Sequence, residues 1–138
     1  IGYHFDDSIY GQLYFDYGKP TDPEDRLAVA KSIEHALLQN TPEAILVLVK
    51  ASPEVIRNRM KKNPHHRGVL KEKDIGNVLN WFETEFKRSL LTRKMTLDTT
   101  ESTPEGTLNE FVEKLEPFLT NADRSRIMLH RTSLNPHQ

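Results

Sequence analysis

Arg57, Arg59, Lys61, Lys62, His65, His66, Arg67, Lys71 and Lys73 place a run of positive or titratable side chains in one short stretch of the sequence. Guanidinium and ammonium groups stabilise charge that spreads onto phosphoryl oxygens, so the stretch suits contact with a polyphosphate. Glu54 and Glu72 lie among these cations, and a solvated helix face followed by an exposed loop is the competing role. A second group opens the chain: Tyr3, His4, Asp6, Asp7, Ser8 and Tyr10. Asp6 or Asp7 could act as the base for a hydroxyl acceptor or hold a magnesium-bound water. The same Asp and Ser types also cap turns by bonding nearby backbone N–H groups. Tyr10, Tyr14, Phe15 and Tyr17 could stack a nucleobase, or simply pin a loop, which is the simpler role. His65 and His66 make no convincing metal site, because adjacent side chains diverge and no further ligand is suitably spaced. Arg124, Arg126, His130 and Arg131 could meet nucleic acid or an acidic partner but read as part of a solvated tail.

The elements that must position these groups follow from periodicity. Residues 1–23 read as a strand end leading into a long loop, given their mixture of aromatics, Gly, Asp and Pro. Asp22 and Pro23 then supply a cap and a first helical position, and Leu27, Ala30, Ile33, Ala36 and Leu37 predict one packing face of a helix reaching about Gln39. Ile45 to Val49 is apolar at successive positions, which predicts a parallel strand covered on both faces. Ser52 and Pro53 start a helix packed through Val55, Ile56 and Met60, and Asn63-Pro64 stops it. Ile75, Val78, Leu79, Phe82, Phe86 and Leu90 keep helical spacing. Lys94 to Thr99 predicts a second strand, and Thr103-Pro104-Glu105 starts a helix with Leu108, Phe111, Val112, Leu115 and Leu119 on its packing face. Strands separated by helices pair parallel through a right-handed crossover, so the expected fold class is three-layer α/β/α with a parallel sheet. Two or three strands leave such a sheet short of neighbours.

The chain has 138 residues and a formal net charge of −1. That length suits one domain, set at 1–120 with a basic lid at 61–73, followed by a polar tail at 121–138. The balanced charge gives no reason to expect nucleic-acid binding. With no cysteine there is neither a disulfide nor a thiolate metal site, which fits a reducing cytoplasm. The apolar run from Ala44 to Val49 is too short to cross a bilayer. Opening at Ile1 without a methionine suggests a processed or partial chain.

Ala51-Ser52-Pro53-Glu54, Arg59-Met60-Lys61-Lys62, Phe82-Glu83-Thr84-Glu85-Phe86 and Thr96-Leu97-Asp98 occur in an order that resembles the nucleoside and nucleotide kinases of the P-loop superfamily. The likeness is to the deoxynucleoside and thymidylate kinase branch and covers roughly residues 1–119. It implies ATP and Mg²⁺ as cofactors and a small hydroxyl-bearing acceptor as substrate. It also implies that Arg59 and Arg67, supported by Lys71 and Lys73, contact nucleotide phosphates from a closing lid. Tyr3, His4 and Tyr10 fall where that family approaches its acceptor, with His4 standing where an arginine is usual.

The six glycines, at 2, 11, 18, 68, 76 and 106, never take the spacing G-x-x-x-x-G-K-[S/T]. Such a loop supplies most of the phosphate positioning in phosphoryl transfer. The expectation is therefore the C-terminal portion of an ATP-dependent kinase-like protein, inactive alone. The alternative is a noncatalytic protein that covers its incomplete sheet by self-association.

Overall fold

The computed structural model describes residues 3–16, 25–64 and 68–134. Tyr3–Tyr14 forms helix α1, where the sequence predicts a strand end and a loop. Tertiary packing overrides the local turn signals. Phe5 and Ile9, one helical turn apart, join Ala30 and Val78 in the main core cluster, and His4 and Ser8 are buried on the adjoining positions. The apolar half of this pattern is only two residues deep, so polar neighbours hide its helical period.

Helix α2, Arg26–Asn40, begins at Asp25, whose Oδ1 accepts from the Leu27 and Ala28 amides at 2.9 and 3.3 Å. The expected start at Asp22 and Pro23 lies outside the described residues. Its packing face is also rotated from the one expected. Ala30 and Glu34 are buried, whereas Ile33 is 40% exposed. Glu34 takes the inner position because it serves polar groups there.

Strand β1, Leu46–Lys50, pairs parallel with β2, Lys94–Asp98, in register from Leu46 opposite Lys94 to Lys50 opposite Asp98. The crossover between them carries helix α3, Pro53–Lys62, a short 3-10 turn at Glu72–Asp74, and helix α4, Ile75–Arg88. At the start of α3, Ser52 Oγ accepts from Val55 N at 3.3 Å and Pro53 occupies the first turn, as the sequence predicts. Helix α4 packs against β1 through its apolar stripe, with Ile75 and Val78 buried. The fold is thus mixed α/β, mostly helical, with a two-stranded parallel sheet among the described residues.

These elements make up one compact unit, Ile1–Ser102, and Thr103–Gln138 make up another. In the second, helix α5 spans Pro104–Leu115, with Thr103 Oγ1 accepting from Gly106 N at 3.0 Å. Leu108 and Val112, expected on its packing face, are exposed. Helix α6, Asn121–Leu134, occupies most of the expected tail. A reciprocal cap starts it: Thr120 N donates to Asp123 Oδ2 at 3.0 Å and Asp123 N to Thr120 Oγ1 at 3.2 Å. Among the described residues no helix is long and apolar enough to cross a membrane.

Candidate functional site

Open parallel sheets assemble binding sites beyond the carboxyl ends of their strands, where side chains of successive connections converge. Here β1 ends at Lys50 and β2 at Asp98, and a hydrogen-bonded network ties the two ends together. Thr99 N and Thr99 Oγ1 donate to Lys50 O at 2.7 and 3.1 Å. Thr100 Oγ1 donates to Asp98 Oδ1 at 2.5 Å and accepts from Ser52 N at 2.9 Å. Arg59, reaching from α3, closes the network: its Nη1 donates to Thr99 Oγ1 at 2.9 Å and its Nη2 to Thr99 O at 2.6 Å. A residue expected on a moving lid is therefore fixed by two bonds to the end of β2.

The other cations of the basic stretch divide by partner. Arg57 and Lys61 both approach Glu72 Oε1, at 2.9 and 3.9 Å. The Lys71 ammonium lies 5.3 Å from the centroid of the Tyr14 ring, a cation–π contact, and Lys71 N donates to the Tyr14 hydroxyl at 3.0 Å. That hydroxyl donates in turn to Asp74 Oδ2 at 2.9 Å. The Tyr14 phenol is held above its ordinary value, by loss of hydration first and by Asp74 besides, although the Lys71 amide favours the ionised form. Lys62 and Lys73 are exposed. Arg67, His65 and His66 lie outside the described residues.

Helix α1 carries the acceptor-side candidates. Asp6 is half-buried, and burial pushes its carboxyl up, with His4 opposing in part. The Tyr10 phenol is also pushed up, by burial and then by Asp6 and Tyr14. Tyr10 stacks near Tyr14, centroids 6.1 Å apart, and meets Phe82 edge-on at 6.0 Å. These contacts are aromatic packing within α1 and against α4, and Tyr17 lies outside the described residues. Asp7 faces Arg26 Nε at 3.5 Å, and Ser8 Oγ donates to Phe5 O at 2.8 Å within its own helix. Tyr3 opens α1, and its side chain is outside the described atoms. No hydrogen bond or ion pair between described residues joins Asp6 to Arg59, Lys71 or Lys73. Among the described residues the lid stretch meets α1 through Lys71 on Tyr14 and through Leu70, which packs against the core cluster of Phe5 and Ile9.

Two features have no counterpart in the sequence reasoning. Glu34, 1% exposed, accepts from the Ser89 hydroxyl through Oε1 and from Leu90 N through Oε2 at 2.9 Å, with His4 Nε2 3.7 Å from Oε1. A lone Glu inside an amphipathic helix gives no sign of such partners, which lie more than fifty residues away. The second is a cavity of about 300 Å³ lined by all five residues of β1, by Phe5 and Asp6 of α1, and by Leu79, Phe82, Glu83 and Phe86 of α4. Lys50 Nζ bonds Glu83 Oε1 at its wall, at 3.0 Å. Among the described residues no group of three His, Asp or Glu could hold a metal ion.

The chain matches no family model, no curated protein and no solved structure.

Proposed function

We propose that this chain is the lid-bearing part of an ATP-dependent small-molecule kinase of the nucleoside or nucleotide type. In that reading the two-stranded sheet belongs to a larger three-layer α/β/α arrangement. The observation that carries it is Arg59, a guanidinium anchored at the carboxyl end of a parallel strand pair. A guanidinium has about five N–H donors. Those not given to Thr99 remain for phosphoryl oxygens, and the two anchoring bonds remove much of the entropy cost of aiming them. Lys71 and Lys73 precede α4 on the same crossover and would add positive charge to a bound polyphosphate.

ATP with Mg²⁺ would bring the transferable phosphoryl group. The chain's own residues would bind and orient it. Asp6, its carboxyl raised by burial, is the candidate base for the acceptor hydroxyl, since a base titrating closer to the working pH accepts a proton more effectively. Without a glycine-rich phosphate loop in the sequence, these residues provide contact rather than turnover.

Calorimetric titration with Mg-ATP tests the reading. Arg59→Ala is expected to weaken binding by about tenfold, the loss of one charge-assisted contact. Lys73→Ala should weaken it less and leave the Thr99 anchor intact. Equal affinity in wild type and both variants would remove the phosphate assignment. A second reading, a noncatalytic self-associating protein, draws on the open edge of β1.

A further inference from the structure

Helix α4 has two working flanks. Phe82, Glu83 and Phe86 line the cavity beside β1, whereas Trp81, Glu85 and Arg88 line a second cavity of about 310 Å³ where α4 meets α1 and the start of α2. Positions 81, 85 and 88 are four and three residues apart, so they share one stripe of the helix. Gln12 and the buried pair Ser8 and Ile9 form the α1 wall, and Leu27 forms the α2 wall. Ligand pockets run from roughly 300 to 1,000 Å³, which puts this one at the small end. It suits one small molecule rather than a nucleotide or a peptide.

The polar groups of this cleft are not spent on one another. The Glu85 side chain is only 15% exposed, yet among the described residues none donates a hydrogen bond to its carboxylate. Its nearest cation is Arg88, whose Nη1 stands 3.7 Å from Oε1, beyond hydrogen-bond reach. A carboxylate withdrawn from water is costly until donors replace its hydration. Glu34, the other enclosed glutamate, has those donors in Ser89 and Leu90. The side chains of Gln12, Asn80 and Trp81, which line the same cleft, likewise make no hydrogen bond among the described residues. Ser8 and Thr84 differ, since their hydroxyls are given to Phe5 O and Asn80 O. What stays open is one carboxylate, one guanidinium, two amides and an indole N–H, set around the apolar surfaces of Ile9, Leu27 and Trp81.

We propose that this cleft binds a free α-amino acid with an apolar side chain, its ammonium on Glu85, its carboxylate on Arg88 and its side chain against Ile9, Leu27 and the Trp81 ring. Opposite charges one helical turn apart match a ligand that carries both charges on a single carbon. A simple amine would leave Arg88 as a repelling neighbour, and a simple anion would face Glu85. The zwitterion answers both. Arg88 is 70% exposed and loosely held, so its guanidinium can turn onto the ligand carboxylate and give it two parallel N–H bonds. The Gln12 and Asn80 amides, each donor and acceptor, can take the remaining ammonium hydrogens or carboxylate lone pairs. The site uses none of the residues assigned to phosphate or to the acceptor, and it goes beyond that reading.

Trp81 is the chain's one tryptophan, so its fluorescence reports occupancy of the cleft directly. Titration of the whole protein with L-leucine in the millimolar range is expected to give a saturable change. Two analogues divide the ligand: 3-methylbutylamine lacks the carboxylate and 4-methylpentanoate lacks the ammonium. Each should bind about tenfold or more weakly, the loss of one charge-assisted contact. Glu85→Gln should weaken leucine by a similar factor and erase its advantage over 4-methylpentanoate, while Arg88→Ala should erase its advantage over the amine. Neither substitution removes a hydrogen bond from the folded chain, so both variants should keep the wild-type circular dichroism. No saturable change with leucine or L-phenylalanine, analogues that bind as well as leucine, or variants that keep the wild-type preferences would each overturn the proposal. Leucine binding by a protein that ignores Mg-ATP would uphold this site while the phosphate reading failed.

Discussion

Replacing Glu34 should reveal how the N-terminal helices are held to the end of α4. The carboxylate is 1% exposed and accepts from the Ser89 hydroxyl and the Leu90 amide, while His4 Nε2 stands 3.7 Å away without a hydrogen bond of its own. Glu34→Ala strips the acceptor from two donors at once. An orphaned buried polar group costs about 1–3 kcal/mol, and some relief comes from water entering the space, so a loss of about 3 kcal/mol is expected. In a unit of this size that corresponds to roughly 12–24 °C in melting temperature. Glu34→Gln retains one carbonyl oxygen for Leu90 N but presents an amide to Ser89, so about half the loss should remain. Urea unfolding followed by far-UV circular dichroism measures both variants against wild type. A change below about 1 kcal/mol in Glu34→Ala, or a Gln variant no better than the Ala variant, would refute the assigned bonding.

Tyr14→Phe removes the hydroxyl that joins Lys71 N to Asp74. About 1 kcal/mol should be lost, with faster amide exchange at Lys71 as the local readout. Asp6 has its folded-state carboxyl raised by burial, so the folded protein holds this proton to higher pH than the unfolded chain does. Its ionisation therefore lowers stability as pH rises from the unfolded pKa to the folded one, and Asp6→Asn should flatten that part of the pH–stability curve. Carboxyl carbon shifts followed by NMR should place the Asp6 midpoint above the ordinary aspartate value of 3.8.

The elements of β1, α3, α4 and β2 were readable because each signal was local and doubled. Ser52-Pro53 joins a cap to a first-turn proline, Ile75 to Phe86 repeats a helical stripe, and Ile45 to Val49 is uniformly apolar. Helix α1 was not readable, because its cohesion comes from Phe5 and Ile9 packing on Ala30 and Val78 rather than from its own propensities. Helix α6 carries its signature in Thr120 and Asp123, a capping pair easily lost in a polar stretch that lacks a strong apolar face. For the site, residue type identified Arg59 as a phosphate candidate, but its attachment to Thr99 is a contact across forty residues that no local pattern encodes. Glu34 gives no sign in the sequence for the same reason: its partners lie beyond the end of another helix.

The proposal that Arg59 is a phosphate contact meets its most direct test in phosphorus NMR of Mg-ATP titrated with wild-type protein and with Arg59→Ala. Shifted or broadened phosphate resonances are expected with the wild type and a much weaker effect with the variant. Identical spectra with the two proteins would contradict it.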